Sequence, residues 1–163
     1  MEKLRSTDYK LLFELIKNSH RSDRELARVL RVSQPTVTRI RNKLVKDGLI
    51  REFTILPNLS KLGFEIMAIT CVKARASKEL TEKAIEVTAA SPNIIFAARA
   101  DGMGKNALMI SLHKNYSEYS NFIGDLMMEH GKDVEDYDTM LVSMGGLIVK
   151  PFSLKYIEDL HEK

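Results

Sequence analysis

Two helix-start signals eleven residues apart constrain this chain more than anything else in it. Ser22 stands three residues before Glu25 in SDRELARVL, the capping-box pattern in which each side chain satisfies an orphan backbone N–H. Ser33 opens the next start, and Pro35 is tolerated in its first turn because no intrahelical N–H is needed there. Between them fits only a short helix, with Leu26, Ala27, Val29 and Leu30 as its buried face, and a tight turn at Arg31-Val32. The helix that follows runs to about Lys46 and stops at Gly48. Upstream, Ser6, Thr7 and Asp8 start an earlier helix with an apolar stripe of Leu11, Leu12, Leu15 and Ile16, broken at Asn18-Ser19-His20.

A wheel of the third helix at about 100° per residue separates two faces. Val37, Ile40 and Leu44 share one, with Val45 at its edge; Pro35, Arg39, Asn42, Lys43 and Lys46 lie opposite, and Gln34, Thr36 and Thr38 take the first turns and flanks. From Gln34 to Lys46 there is no Asp or Glu. A merely solvated helix face usually mixes signs to gain i,i+4 pairs. Arg can donate two hydrogen bonds to a guanine edge, Asn or Gln can pair similarly with adenine, and Lys and Thr suit phosphates. Two short helices, a tight turn and an acid-free third helix therefore predict a nucleic-acid-binding helix-turn-helix. After Gly48, LIREFTILP carries Ile50, Phe53 and Ile55; an extended segment here would make the module winged and bring Arg51 to a flanking phosphate, the alternative being a plain linker.

The charge distribution agrees. The 163 residues carry a net charge of +3, but residues 1–52 hold +6 and residues 53–163 hold −3. A basic first part joined to a mildly acidic second part suggests that the first meets a polyanion. With 44% apolar and 29% charged residues the chain reads as globular, not disordered. No apolar run approaches the roughly 18 residues of a membrane span, and no signal peptide is evident. Cys71, the one cysteine, sits in IMAITCV and reads as a buried thiol, consistent with a cytoplasmic location.

These residues resemble the N-terminal domain of the leucine-responsive/AsnC (feast/famine) family of transcription regulators. The matching features are Leu4 and Asp8, Arg21-Ser22 with Glu25-Leu26-Ala27, Ser33 with Thr36-Val37 and Arg39, and Leu44 with Gly48 and Ile50. The family often has Gly in the turn where this chain has Arg31; a left-handed conformation there would cost a non-glycine residue roughly 1 kcal/mol.

Leu56 to Gly63 punctuates the chain as a linker. Beyond it the pattern predicts a strand within 64–75, and a helix over 77–90 burying Leu80, Ala84, Ile85 and Val87. Strands at 94–100 and 106–113 follow, then a helix over 116–131 with Tyr119, Phe122, Ile123 and Met127 in line, and a strand at 139–149 bent at Gly145-Gly146. The order β-α-β-β-α-β is the ferredoxin-like arrangement. The expected fold class is α+β: a helix-turn-helix domain over 1–55, a linker over 56–63, a ferredoxin-like domain over 64–150 and a helical tail over 151–163. The resemblance extends to this half, whose counterpart in the family senses a ligand and builds oligomers.

The turn Asp101-Gly102-Met103-Gly104-Lys105-Asn106 is the one irregular feature of the second half. Its glycines could expose N–H groups to an anion, with a plain hairpin turn as the alternative. It is not a Walker A loop: Arg99 stands where Gly is needed, and Asn106 where Ser or Thr is needed. The resemblance implies an amino-acid effector bound between subunits near this hairpin, although the Asp of the family's Gly-x-x-Asp-like element is missing here. Other features argue for no cofactor and no metal. Met127-Met128 reads as adaptable packing. The four histidines lack ligand spacing. The acidic run Asp133, Glu135, Asp136 and Asp138 reads as a solvated loop, with weak cation binding the alternative. No base adjoins Cys71 in sequence, so nucleophilic catalysis is not expected.

The expectation is a non-enzymatic regulator whose partners are double-stranded DNA, a second copy of itself (a homodimer, or a tetramer or octamer) and an amino acid or similar metabolite. The competing reading is a small-molecule-binding oligomer or enzyme on the ferredoxin-like domain, with the helical module docking protein or RNA.

Overall fold

The computed structural model describes residues 4–75 and 77–161 and divides them into two compact units. The first joins residues 4–56 with 150–161, so the segment expected as a separate tail folds with the N-terminal helices. The second is 57–149.

The first unit holds α1 (Ser6–Lys17), α2 (Asp23–Leu30) and α3 (Gln34–Lys46). Ser22 and Ser33 cap α2 and α3 through hydrogen bonds accepted from the N–H groups of Glu25 and Thr36. The chain leaves α2 through Arg31 at φ 55°, ψ 46°, the left-handed conformation that favours glycine. Leu11, Leu15, Leu26, Ala27, Val37, Ile40, Leu44 and Ile50 form the core. Two expectations fail here. Val29 is exposed, because a helix of 8 residues turns too few side chains inward to bury it. Phe13, absent from the expected stripe, is buried. The His161 ring meets it edge-on at 5.3 Å from the C-terminal helix Ile157–His161, which also pairs Glu158 with Lys17.

The second unit begins with a single 3₁₀ turn, Ser60–Leu62. It contains β1 (Ile66–Ala74), α4 (Lys78–Ala90), β2 (Ile94–Gly102), β3 (Lys105–His113), α5 (Tyr116–His130) and β4 (Val134–Ser143). The strands form one antiparallel sheet in the order β2-β3-β1-β4, the split βαβ arrangement. Ala68 and Met109 pack beneath Tyr119 and Ile123 of α5, with Phe122 and Met127 beside them. The face of α4 departs from expectation: Leu80 and Val87 are half-buried, and Ala84 and Ile85 are exposed. β4 also begins five residues earlier than expected and ends at Ser143. It is paired with β1, whose Ile66 lies opposite Ser143, so the ladder runs out there and Leu147, Ile148 and Val149 lie outside any strand.

The register leaves the other sheet face apolar. Phe96, Ile110, Ile69 and Met140 are successive partners across all four strands. Directly paired residues point to one side, and this row lies on the side away from Ala68 and Met109, because neighbours along a strand alternate faces. Among the described residues no helix of this unit covers it, and Phe96 and Met140 are 51% and 68% exposed.

Candidate nucleic-acid interface

The solvent-facing side of α3 is built by its inward side. Val37, Ile40 and Leu44 are fully or almost fully buried, which turns Gln34, Pro35, Thr38, Arg39, Asn42 and Lys46 outward. The first five of these line one shallow concave surface. Arg39 and Asn42, one turn apart, share a side and are exposed. No acidic side chain comes from α3 itself.

The remaining predicted residues take other positions. Ser22 is engaged in its capping box: its N–H and hydroxyl donate to the Glu25 carboxylate at 2.7 and 2.8 Å. These two bonds, the hydroxyl's first, hold that carboxyl below its usual range. Ser33 and Thr36 hydroxyls bond each other at 2.7 Å. Lys43 does not join the outer face. Its ammonium lies 3.2 Å from the buried Asp8 carboxylate, and its side chain is only 17% exposed. On the wheel it borders the outer face, but the nearby α1 carboxylate draws the flexible stem inward. Arg51 is exposed, on a segment that pairs with no strand among the described residues. The unit supplies no second strand to receive it, and Ile50 anchors the segment instead.

A brace absent from the predicted set holds α3 against α2. Asp23 accepts a hydrogen bond from the Thr38 hydroxyl at 2.6 Å and another from Arg41 Nε at 3.0 Å. The Thr38 bond, then the Arg41 guanidinium, keeps the Asp23 carboxyl below its ordinary value against the opposing effect of burial. The Arg41 guanidinium also lies over the Phe53 ring, 5.7 Å from its centroid. The partners are 15 and 18 residues apart, so no local spacing announces them. The one cue was an acid at the start of α2 facing a helix with none.

The hairpin of the second unit proves tight. Gly102 pairs with Lys105, leaving Met103 and Gly104 as a two-residue loop, both at positive φ (53° and 71°). This is the backbone a right-twisted β-hairpin favours. Asp101, Gly102, Met103 and Gly104 are exposed. Lys105 and Asn106 point elsewhere. Lys105 is 7% exposed and its ammonium pairs with Asp136 and, at 2.8 Å, with Asp138. Asn106 clamps the backbone of Ala74 in both directions, at 2.9 and 2.7 Å. Asp133 pairs with Lys83 and Glu135 with Lys73, so the acidic run is countered by lysines. It is also no loop: Glu135, Asp136 and Asp138 belong to β4, where an edge strand carries charge outward.

A model of the winged helix-turn-helix DNA-binding family matches residues 4–51. An uncharacterized HTH-type transcriptional regulator of Pyrococcus abyssi is 30% identical over 146 residues, covering 88% of this chain and 95% of that protein. The HTH-type transcriptional regulator LrpC of Bacillus subtilis is 32% identical over 67% of this chain and 74% of its own length. The chain belongs to the Lrp/AsnC family of transcription regulators. Within that family, the crystal structure of a Pyrococcus horikoshii regulator superposes with a TM-score of 0.80 at 27% identity, covering 94% of this chain and 99% of that one. A Neisseria meningitidis transcriptional regulator solved in complex with L-Met shares the fold, with a TM-score of 0.80 at 20% identity over 94% of this chain and 96% of that one. This Lrp/AsnC chain is thus a DNA-binding transcription regulator. No helix among the described residues is long and apolar enough to cross a membrane.

Proposed function

We propose that the protein reads a two-fold operator as a homodimer, with Gln34, Arg39 and Asn42 at base edges and Lys46 and Arg51 on phosphates. Pro35, Thr36 and Thr38, with the caps Ser22 and Ser33, set the approach of the helix start. The carrying observation is the concave, outward side of α3, where amides and a guanidinium stand together. One module makes few base contacts, so two half-sites are the economical route to affinity. A second copy of the chain is the natural cover for the Phe96–Ile110–Ile69–Met140 row, since exposed contiguous apolar surface marks interaction sites. Pairs of such dimers could assemble further into a tetramer or octamer.

An amino acid or similar metabolite modulates binding, in line with the L-Met found in the Neisseria regulator. At the hairpin its contacts fall to Asp101, Gly102, Met103 and Gly104, since Lys105 and Asn106 are engaged internally. Selection from random duplexes on the full chain tests the reading. A palindromic enriched motif, with affinity shifted by one amino acid, is expected. Recovery of no motif, or equal capture of RNA, would count against it.

A further inference from the structure

A cavity of about 600 Å³ lies between α4 and the sheet, away from the outer apolar face and from the hairpin tip. It exists because the surfaces around it are small or withdrawn: Ala74, Ala97 and Ala107 floor it, and α4 buries none of its residues. Its volume falls in the range of small-molecule sites, roughly 300–1,000 Å³. Leu80, Val87, Met109, Leu126 and Met127 make its body apolar.

Its charged residues are mostly cationic. Arg75 and Arg99 line it, and neither has an ion-pair partner among the described residues. His130 also lines it, with a buried Nδ1 that has no hydrogen-bond partner, while its Nε2 lies 3.4 Å from the Glu129 carboxylate. Asp133 is the one acidic lining side chain, and Lys83 occupies it at 3.1 Å. An anionic head is therefore offered free donors. An α-ammonium group is offered no unengaged carboxylate.

We infer that this cavity binds an amphipathic carboxylate, an apolar chain or ring ending in a single acid group, as a second ligand site separate from the hairpin. The tail lies against Met109 and Met127 under α4, and the carboxylate meets Arg75, Arg99 and the His130 ring. A free amino acid fits poorly, because its ammonium would be desolvated without a partner.

The test is calorimetric titration of the full chain with decanoate, decylamine and leucine, with the methyl resonances of Met109 and Met127 followed by NMR. Decanoate is expected to bind and shift both methyls, while decylamine and leucine do neither. Ala107→Phe fills the floor and should abolish binding. Arg75→Gln with Arg99→Gln should weaken it by about tenfold or more, the scale of one lost charge-assisted hydrogen bond. These two arginines are exposed, so the double variant remains informative if Ala107→Phe fails to fold. No binding of decanoate at about 1 mM, weaker than almost any specific site, would overturn the assignment. So would equal binding of decylamine, or affinity unchanged in the double arginine variant. Operator binding without ligand is measured in parallel, so failure at this cavity stays distinct from failure of the DNA reading.

Discussion

Replacing Asp23 by Ala removes the acceptor that ties α3 to α2. The lost contacts are the 2.6 Å bond from Thr38 and the ion pair with Arg41. Hydrogen bonds to a charged group contribute roughly 1.5–3 kcal/mol each when well buried, and exposed ion pairs 0–1 kcal/mol. The Asp23 and Arg41 side chains are both 20% exposed. The Thr38 hydroxyl has a second acceptor in the Gln34 carbonyl at 3.2 Å, which offsets part of the loss. The net destabilisation should be about 1–2 kcal/mol, which in a unit this small lowers the unfolding midpoint by about 5–15 °C. Asp23→Asn, which keeps an acceptor for Thr38 but no charge for Arg41, should fall between. The apolar contacts of Leu26 and Val37 persist in both variants, so affinity for the operator at fixed salt should change by less than about tenfold. The sign with pH follows from the lowered carboxyl. A depressed acid stabilises the fold above its unfolded value, about 3.9, and that contribution fades as pH falls through the lower folded value. The wild type and Asp23→Ala should therefore differ by a constant amount near neutrality and converge in acid. Thermal and urea unfolding followed by circular dichroism measures this. Equal stability at pH 7, or a gap that widens in acid, would refute the brace.

Arg39→Ala should weaken specific operator binding by roughly 1–3 kcal/mol, while Lys46→Ala should weaken all sequences alike and lower the salt slope by about one; fluorescence anisotropy at several salt concentrations separates them. Arg31→Gly should stabilise the first unit by about 0.5–1 kcal/mol, since the left-handed strain of a side chain at φ 55° outweighs glycine's larger unfolded-state entropy; a lower midpoint would contradict it. Met140→Lys should break the proposed dimer into monomers in sedimentation velocity while leaving the circular dichroism spectrum intact. Burial holds the His113 imidazole below its ordinary value, against the smaller opposing pull of Glu118. The neutral ring therefore favours the fold above about pH 6.5, and stability of the second unit should decline as pH falls below it. His113→Phe should flatten that decline in pH-dependent urea melts.

What the sequence disclosed was the local part. Ser22, Glu25, Ser33, Pro35 and Gly48 carry their instructions within four residues, and the helices they delimit appear where they should. The inward row Val37, Ile40, Leu44 was readable for the same reason, and with it most of the outward face. Apart from Val29 on its short helix, the losses are non-local. Lys43 turns inward toward an acid 35 residues away. Phe13 is covered by a ring at the far end of the chain. β4 was misplaced because its charges suggested a loop, whereas Lys73 on the adjacent β1 and Lys105 on β3, one strand further in, answer them. The cavity under α4 was invisible, since amphipathic spacing announces which face turns inward but not how far the helix stands from the sheet.

The contact between His161 and the aromatic side of α1 has a consequence for synthesis. The first unit joins residues 4–56 with 150–161, so its second piece leaves the ribosome only after the whole of 57–149 has been made. Until then Phe13 stays open to water, and the nascent module is less stable than the finished one. A fragment that stops before residue 150 shares that deficit permanently, and would understate how firmly the longer chain holds α3.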